Sequence, residues 1–191
     1  MNYNILCFHG FNQLSSTMKN KMEKIEKQFT GITFDYAESI HPEKWFDINI
    51  DKTDLEKVLN EPLTKESMDL VEANMEKLDK FLETRHYDGF IGFSQGSVFA
   101  RWYISLRKPS IKFFISIGSC DIQHDLYIVS KLPFPRELRL YNLYGTQDIY
   151  VPSKYSKLLT KFIGGKDIEF NGKHIIPKNE IIEILKDEYS I

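Results

Sequence analysis

The pentapeptide at residues 92–96, Gly-Phe-Ser-Gln-Gly, constrains the possible folds of this chain more than any other stretch. It fits Gly-x-Ser-x-Gly, in which a serine occupies a strained turn between a strand and a helix and holds its hydroxyl out of the sheet. The apolar run before it, residues 90–93, is typical of a buried parallel strand. After it, apolar residues at helical spacing continue as far as Lys108 and Pro109, where a helix should stop. Ser94 is therefore predicted to lie between a strand and a helix.

The pattern alone has little specificity, because a chain of this length contains it by accident about one time in twenty. The alternative is a tight turn that carries a solvent-facing serine. The strand before the motif and the helix after it favour the catalytic interpretation. The two glycines have a separate role, since a Cβ at either position would clash with the crowded strand and helix.

The rest of the chain alternates strands with helices, an order that predicts an α/β fold with a mostly parallel sheet and helices on both faces. We expect about six strands, no large lid domain and a single domain over residues 1–191. A helical pattern begins near Ser15 and ends at Thr30 and Gly31. The predicted strands are residues 5–8, 32–37, 90–93, 112–117, 139–144 and 167–170, and the later helices begin at residues 64, 95, 153 and 179.

Bulk properties narrow the partners and the compartment. The net charge is -2 and the sequence shows no basic patch with interleaved aromatic residues, so nothing indicates a nucleic-acid partner. No apolar run is long enough to span a membrane or to form a signal peptide core. Cys7 and Cys120 lie in apolar strand-like stretches, which favours buried reduced thiols and a cytoplasmic location. No cysteine motif surrounds Cys120 to support a nucleophilic role.

Two regions without clear periodicity, residues 38–63 and 122–138, are candidates for the walls of a substrate pocket. The first contains Trp45 and Phe46 and could include a short helix over residues 55–59. An alternative remains open, in which this region is a surface excursion and Trp45 packs on the body of the protein. The apolar stripe of residues 68–82 predicts packing against a sheet, and an exposed partner surface is the less common alternative.

A serine hydroxyl needs a histidine to accept its proton and a carboxylate to hold that histidine. In α/β-hydrolases the chain order is serine, acid, histidine, each after a different strand. Asp148 follows the fifth predicted strand and His174 follows the sixth, so Ser94, Asp148 and His174 are the predicted triad. Asp121, at the exit of the fourth strand, is a rival acid. The other histidines lie in turns or irregular stretches, and the five show no metal-ligand spacing, so we expect no metal.

The first predicted strand ends in His9, Gly10, Phe11 and Asn12. An oxyanion hole takes one N–H from this loop and one from the residue after the nucleophile, which predicts the backbone amides of Phe11 and Gln95 as donors. Gln95 also begins the helix, whose N-terminal dipole favours negative charge. His9 is interpreted as a brace for the loop, and the alternative is an ordinary strand-to-helix turn.

With these motifs placed, the chain resembles the FSH family, the family of serine hydrolases within the α/β-hydrolase superfamily. The resemblance covers nearly the whole length and is carried by four stretches, residues 6–13, 92–96, 145–153 and 172–177. It implies the same triad and an esterase or thioesterase activity on acyl chains.

The combined prediction is a cofactor-free serine hydrolase that cleaves a small-molecule acyl ester or thioester. Trp45, Phe46, Tyr150 and Phe11 are the candidate apolar contacts of its pocket. The alternatives are an acyl thioesterase or lysophospholipase, a ligand-binding protein on the same fold, and a scaffold that uses the helix at residues 68–82.

Overall fold

A computed structural model describes residues 2–48, 63–120 and 134–190. Its six strands form one sheet in the order β2-β1-β3-β4-β5-β6, and all five neighbouring pairs are parallel. This confirms the predicted α/β fold with about six strands. The strands are β1 (Tyr3–Phe8), β2 (Ile32–Ala37), β3 (Gly89–Phe93), β4 (Phe113–Ile117), β5 (Arg139–Gly145) and β6 (Lys166–Phe170).

Helices cover both faces of the sheet. The described helices are α1 (Ser15–Glu26), α2 (Lys65–Glu83), α3 (Gln95–Arg107), α4 (Ser153–Ile163) and α5 (Lys178–Tyr189). One core cluster joins α2 and α3 to Leu6 and Phe8 of β1, and the other joins α1 and α5 to Ile5 and Cys7 of the same strand. Successive residues of β1 therefore point into two different cores. This is why the central strands read as continuous apolar runs.

Two details of α1 differ from the sequence prediction. The predicted cap was a hydroxyl residue of the stretch 15–17, but the capping position is Leu14, whose side chain makes no capping hydrogen bond. The helix ends at Glu26. After it, Gln28 N donates to the carbonyl oxygen of Ile25 and Phe29 N to that of Glu26, and these bonds to the third preceding residue tighten the chain into a turn. The predicted end at Thr30 was therefore about one turn too late.

Helix α2 begins where the sequence predicts, with Thr64 Oγ1 accepting a hydrogen bond from Ser67 N at 3.2 Å. Its apolar stripe is buried at Val71, Met75 and Leu78, while Met68 at its first turn is 36% exposed. The burial excludes the scaffold alternative, which required this face to be free.

Several predictions fall outside the described residues, namely the short helix at residues 55–59, most of the region 122–138, and the positions Asp121 and His124. The single-domain organisation of residues 1–191 stays a prediction. Within the described ranges, no helix has both the length and the apolar character that a membrane span needs.

Candidate active site

Ser94 lies at the junction of β3 and α3, in the predicted turn. Its backbone has φ 53° and ψ −122°, a combination that side-chain-bearing residues rarely adopt. Its N–H donates to the carbonyl oxygen of Ile117 at 2.8 Å, which ties the turn to the end of β4. Surrounding structure therefore holds the strained conformation, as is common at functional sites.

Close packing explains the two glycines of the motif. A Cβ on Gly92 would lie 2.5 Å from the Cα of Ser97, and one on Gly96 would lie 2.3 Å from the carbonyl oxygen of His9. Both distances are far below van der Waals contact with backbone atoms that have no room to move. The predicted clash is confirmed, and the second contact brings the start of α3 against the loop that follows β1.

Asp148 and His174 meet at the carboxyl ends of β5 and β6. Asp148 Oδ2 lies 2.6 Å from His174 Nδ1, and the carboxylate is 1% exposed while the imidazole is 15% exposed. The other carboxylate oxygen accepts hydrogen bonds from Tyr150 N at 2.9 Å and Val151 N at 2.8 Å. Both oxygens are thus used, which holds the carboxylate in one orientation toward the imidazole.

Phe93, the residue before the serine, lies against the imidazole. The two ring centroids are 4.8 Å apart, and the Tyr150 ring contacts the same imidazole at 5.6 Å. No hydrogen bond joins Ser94 Oγ to His174 Nε2 among the described residues. In structures without substrate this bond is often long and tightens only in the complex.

The loop after β1 approaches the nucleophile from the other side. His9 is 1% exposed, and its Nδ1 donates to the carbonyl oxygen of Gly10 at 2.9 Å while its Nε2 lies 3.4 Å from Ser39 Oγ. Burial lowers the pKa of His9 from its ordinary value, which favours the neutral ring. These contacts suit the bracing role that the sequence indicated.

The two amides expected to bind an oxyanion differ from nearby amides in their hydrogen bonding. Asn12 N donates to the carbonyl oxygen of Glu43 at 2.8 Å, and Ser97 N donates to that of Ser94 at 2.9 Å. In the described part of the chain, the amides of Phe11 and Gln95 donate to no backbone carbonyl. Their role as oxyanion donors stays a prediction.

The Gln95 side chain has a structural role that the sequence reasoning missed. Its Oε1 accepts from Trp45 N at 2.9 Å, and its Nε2 donates to the carbonyl oxygen of Phe46 at 2.8 Å. Asn74 of α2 supports the same segment, with Nδ2 donating to the carbonyl oxygen of Trp45 at 2.9 Å. A polar residue on the apolar face of α2 was the signal that could have revealed this contact.

Three of the four pocket candidates, Trp45, Phe46 and Tyr150, lie in different surroundings. Trp45 is 2% exposed and stacks on Phe99 with centroids 4.6 Å apart, while its Nε1 donates to the carbonyl oxygen of His9 at 2.8 Å. Phe46 is fully buried against Trp102. The structure therefore packs both into the body of the protein, whereas Tyr150 is 67% exposed beside His174.

Other candidate groups lie elsewhere. His41 and His86 are exposed, and the described ranges contain no cluster of side chains that could hold a metal ion. Cys7 and Cys120 are buried and form no disulfide, and burial raises the pKa of the Cys7 thiol, which disfavours the reactive thiolate. A cavity of about 420 Å³ lies at the opposite edge of the sheet, lined mainly by residues that precede β3 and β4 and also by Phe90 and Tyr103.

A family model described as serine hydrolase (FSH1) matches residues 1–183. The chain belongs to this family. It is therefore a serine hydrolase, which decides against the ligand-binding alternative. No curated protein sequence matches the chain.

Solved structures show the same fold at low sequence identity. Esterase PE8 has a TM-score of 0.70 at 18% identity, covering 97% of this chain and 92% of its own. SOBER1 L63A from Arabidopsis thaliana has a TM-score of 0.75 at 14% identity, with 100% and 98% covered. Acyl-protein thioesterase 2 from Zea mays has a TM-score of 0.65 at 15% identity, with 97% and 93% covered. These similarities establish the α/β-hydrolase fold.

Proposed function

We propose that this serine hydrolase cleaves a carboxylic ester of an acyl chain through a covalent acyl-enzyme formed on Ser94. His174 is the general base and Asp148 holds its tautomer. The observation that carries the proposal is the 2.6 Å contact between His174 Nδ1 and a buried carboxylate, on the same sheet edge as a serine in a strained turn.

In the first half-reaction, Ser94 Oγ attacks the carbonyl carbon and its proton passes to His174 Nε2. The resulting imidazolium is stabilised by Asp148 and donates that proton to the leaving alcohol as the carbon–oxygen bond breaks. In the second half-reaction, water attacks the acyl-enzyme, His174 takes its proton, and the proton returns to Ser94 Oγ. The acid leaves and the starting state is restored.

The negative charge of each tetrahedral intermediate needs hydrogen-bond donors that are already in place. We assign this role to the amides of Phe11 and Gln95, and the absence of backbone acceptors for them among the described residues supports the assignment. The strongly buried segment at Trp45 and Phe46 fixes the Gln95 side chain and so the start of α3. Preorganised donors of this kind are typically among the largest contributions to catalysis.

The apolar contacts of the acyl chain are assigned to the exposed rim of the site. Ile149 is 81% exposed, Tyr150 67% and Ile175 52%, and all three are within two residues of Asp148 or His174. Exposed apolar residues that adjoin a catalytic centre commonly contact substrate. Trp45 and Phe46 support the oxyanion loop instead of meeting the acyl chain. A cytoplasmic location is part of the same proposal, since both cysteines are buried and form no disulfide.

Thioester hydrolysis is the second candidate, because the same triad and oxyanion hole serve both leaving groups and one structural neighbour is named an acyl-protein thioesterase. Relative rates on acyl-CoA, lysolipid and short aryl esters of matched acyl length separate these activities. A higher kcat/KM on acyl-CoA would replace the ester by the thioester in the proposal.

Replacement of the nucleophile tests the mechanism. We expect Ser94→Ala to lower kcat on a 4-nitrophenyl ester by a factor on the order of a million, with an unchanged circular dichroism spectrum. Ser110→Ala, at an exposed serine on the opposite edge of the sheet, is the matched control. A Ser94→Ala enzyme within about tenfold of the wild type would refute the assignment, given the size of the expected loss.

A further inference from the structure

Lys21 of α1 lies close to the catalytic centre and pairs with no described carboxylate. Its Nζ lies 4.6 Å from the centroid of the Phe93 ring, and the residue is half-buried. Among residues 2–48, 63–120 and 134–190, no Asp or Glu oxygen lies within 4.0 Å of this nitrogen. Burial lowers the pKa of the ammonium, since the partly desolvated charge lacks compensation.

Phe93 connects this cation to the triad. The ring is 1% exposed, it contacts the His174 imidazole at 4.8 Å, and its own residue directly precedes Ser94. The ammonium therefore lies on the same aromatic ring as the catalytic base. A cation over an aromatic ring gains some stabilisation, but less than from an anionic partner.

Gln13 places a side-chain amide close to the nucleophile. Its Oε1 is buried and accepts no hydrogen bond among the described residues. A Cβ built on Gly10 would lie 3.4 Å from Gln13 Nε2 and 3.3 Å from Ser94 Cβ, so the amide approaches the nucleophile across this glycine. The buried oxygen is an acceptor and would not bind an anion, but the N–H donors of the same amide are on Nε2, the atom that lies beside Gly10.

We propose that Lys21 and Gln13 form a subsite for an anionic oxygen group of the substrate, such as a carboxylate. The ammonium supplies the charge and the Gln13 Nε2–H supplies a directional donor, the combination that recognises carboxylate oxygens. This inference rests on the proposed function and narrows its substrate class to acyl esters or thioesters that carry a negative charge near the scissile bond.

The charge can belong to the acyl part or to the leaving group, and three matched esters distinguish these sources. They are 4-nitrophenyl pentanoate, which is neutral, mono-4-nitrophenyl glutarate, which has a carboxylate at the end of the same acyl chain, and 3-carboxy-4-nitrophenyl pentanoate, which has it on the leaving group. The measured quantity is kcat/KM of each charged ester divided by that of the neutral ester, after correction for the uncatalysed rates.

For the wild type we expect one of the two ratios to be about ten, because a hydrogen bond to a charged group is stronger than a neutral one by roughly this factor. Lys21→Met keeps the apolar stem over Phe93 and removes only the charge, so it should bring that ratio to about one, and Lys21→Arg should restore part of it. Lys24→Met, at an exposed lysine of the same helix, should leave the ratio unchanged. Gln13→Leu should lower it to an intermediate value.

Screening provides an independent readout, because the preference should weaken as NaCl is raised. Equal rates on all three esters, or a preference that persists in Lys21→Met, would overturn the subsite while leaving the hydrolase intact. Failure of the wild type to hydrolyse any of the three would overturn the proposed function and the subsite with it.

Discussion

The amino ends of the parallel strands form one edge of the sheet, the amino edge, and their carboxyl ends form the other, the carboxyl edge. The two edges differ in how their polar side chains are paired. At the amino edge, Asp88 accepts hydrogen bonds from Asn4 N at 3.0 Å and from Lys112 Nζ at 2.8 Å. Arg139 at the start of β5 forms a two-pronged ion pair with Glu188 of α5. These groups satisfy one another, so this edge has the character of a structural closure.

At the carboxyl edge, several groups are oriented but not satisfied. Ser94 is held in a strained turn without a partner for its hydroxyl, and the amides of Phe11 and Gln95 lack backbone acceptors in the described part of the chain. Lys21, which pairs with no described carboxylate, and the Gln13 carbonyl, which accepts no hydrogen bond from a described residue, add two more such groups. Among the described residues, these oriented but unpaired groups lie together at the carboxyl edge, which is the pattern expected where binding and chemistry take place.

The sharpest way to test this contrast is to change Asp148, the proposed acid, whose two carboxylate oxygens are both paired. Asp148→Asn keeps the shape of the side chain but removes the charge and favours the wrong tautomer of His174. We expect kcat to fall on the order of 10⁴-fold, measured on a 4-nitrophenyl ester. Asp121→Asn is the control. A large loss in the control, with a small one in Asp148→Asn, would transfer the catalytic role to Asp121.

Replacement of Gln95 tests whether the hydrogen bonds of its side chain hold the loop after β1, which carries Phe11, in position. Gln95→Leu leaves Trp45 N and the Phe46 carbonyl buried without partners, at a cost of about 1–3 kcal/mol for each group. A displacement of about 1 Å in the loop should also lower kcat/KM up to about a hundredfold. Urea unfolding and ester kinetics measure the two effects, with exposed Gln28→Leu as control. An effect on stability alone would show that the anchor does not position the oxyanion hole.

A substitution at the amino edge should lower the stability of the protein and leave its kcat nearly unchanged. Asp88→Ala removes the acceptor of Asn4 N, and we expect the free energy of unfolding to fall by about 1–3 kcal/mol. Most of this cost comes from the backbone amide, because Lys112 is 57% exposed and its ion pair contributes little. The kcat of the folded enzyme should remain within about twofold, and Asp69→Ala at an exposed site should change neither quantity. A large loss of kcat in Asp88→Ala would show that the amino edge also contributes to catalysis.

The smallest expected effect concerns His9. Its pKa is lowered in the folded protein, so below the ordinary value of 6.5 the unfolded chain binds a proton that the folded chain does not. Stability attributable to this group is therefore present above that pH and lost as the pH falls through it. The free energy of unfolding should decrease less between pH 7.5 and 5.5 in His9→Asn than in the wild type. Identical slopes in urea titrations would show that His9 does not contribute.

Local patterns were sufficient to predict most of the fold. Periodicity located all six strands to within a residue or two, and it located α2 because a Thr64 cap precedes a clear apolar stripe. The end of α1 was wrong because the choice between a helical and a tighter last turn depends on hydrogen bonds that the apolar spacing does not encode.

The candidate site, like the fold, could be predicted from the sequence only in part. Strand order and motif position predict that Asp148 and His174 meet, and the structure places their side chains 2.6 Å apart. The contacts of Trp45, Phe46 and Gln95 could not be predicted, because they join segments about fifty residues apart through side chains with no shared motif. An aromatic residue in an irregular stretch indicates that its side chain is buried, but the sequence does not identify the residues that it packs against.

The central claim is that Ser94 is an activated nucleophile. Treatment of the protein with a fluorophosphonate, followed by peptide mapping in a mass spectrometer, measures this directly. The account predicts a single adduct on Ser94 that His174→Ala abolishes, since an isolated serine hydroxyl does not react at an appreciable rate. No adduct on the wild type, or an adduct on Ser94 that persists equally in His174→Ala, would contradict it.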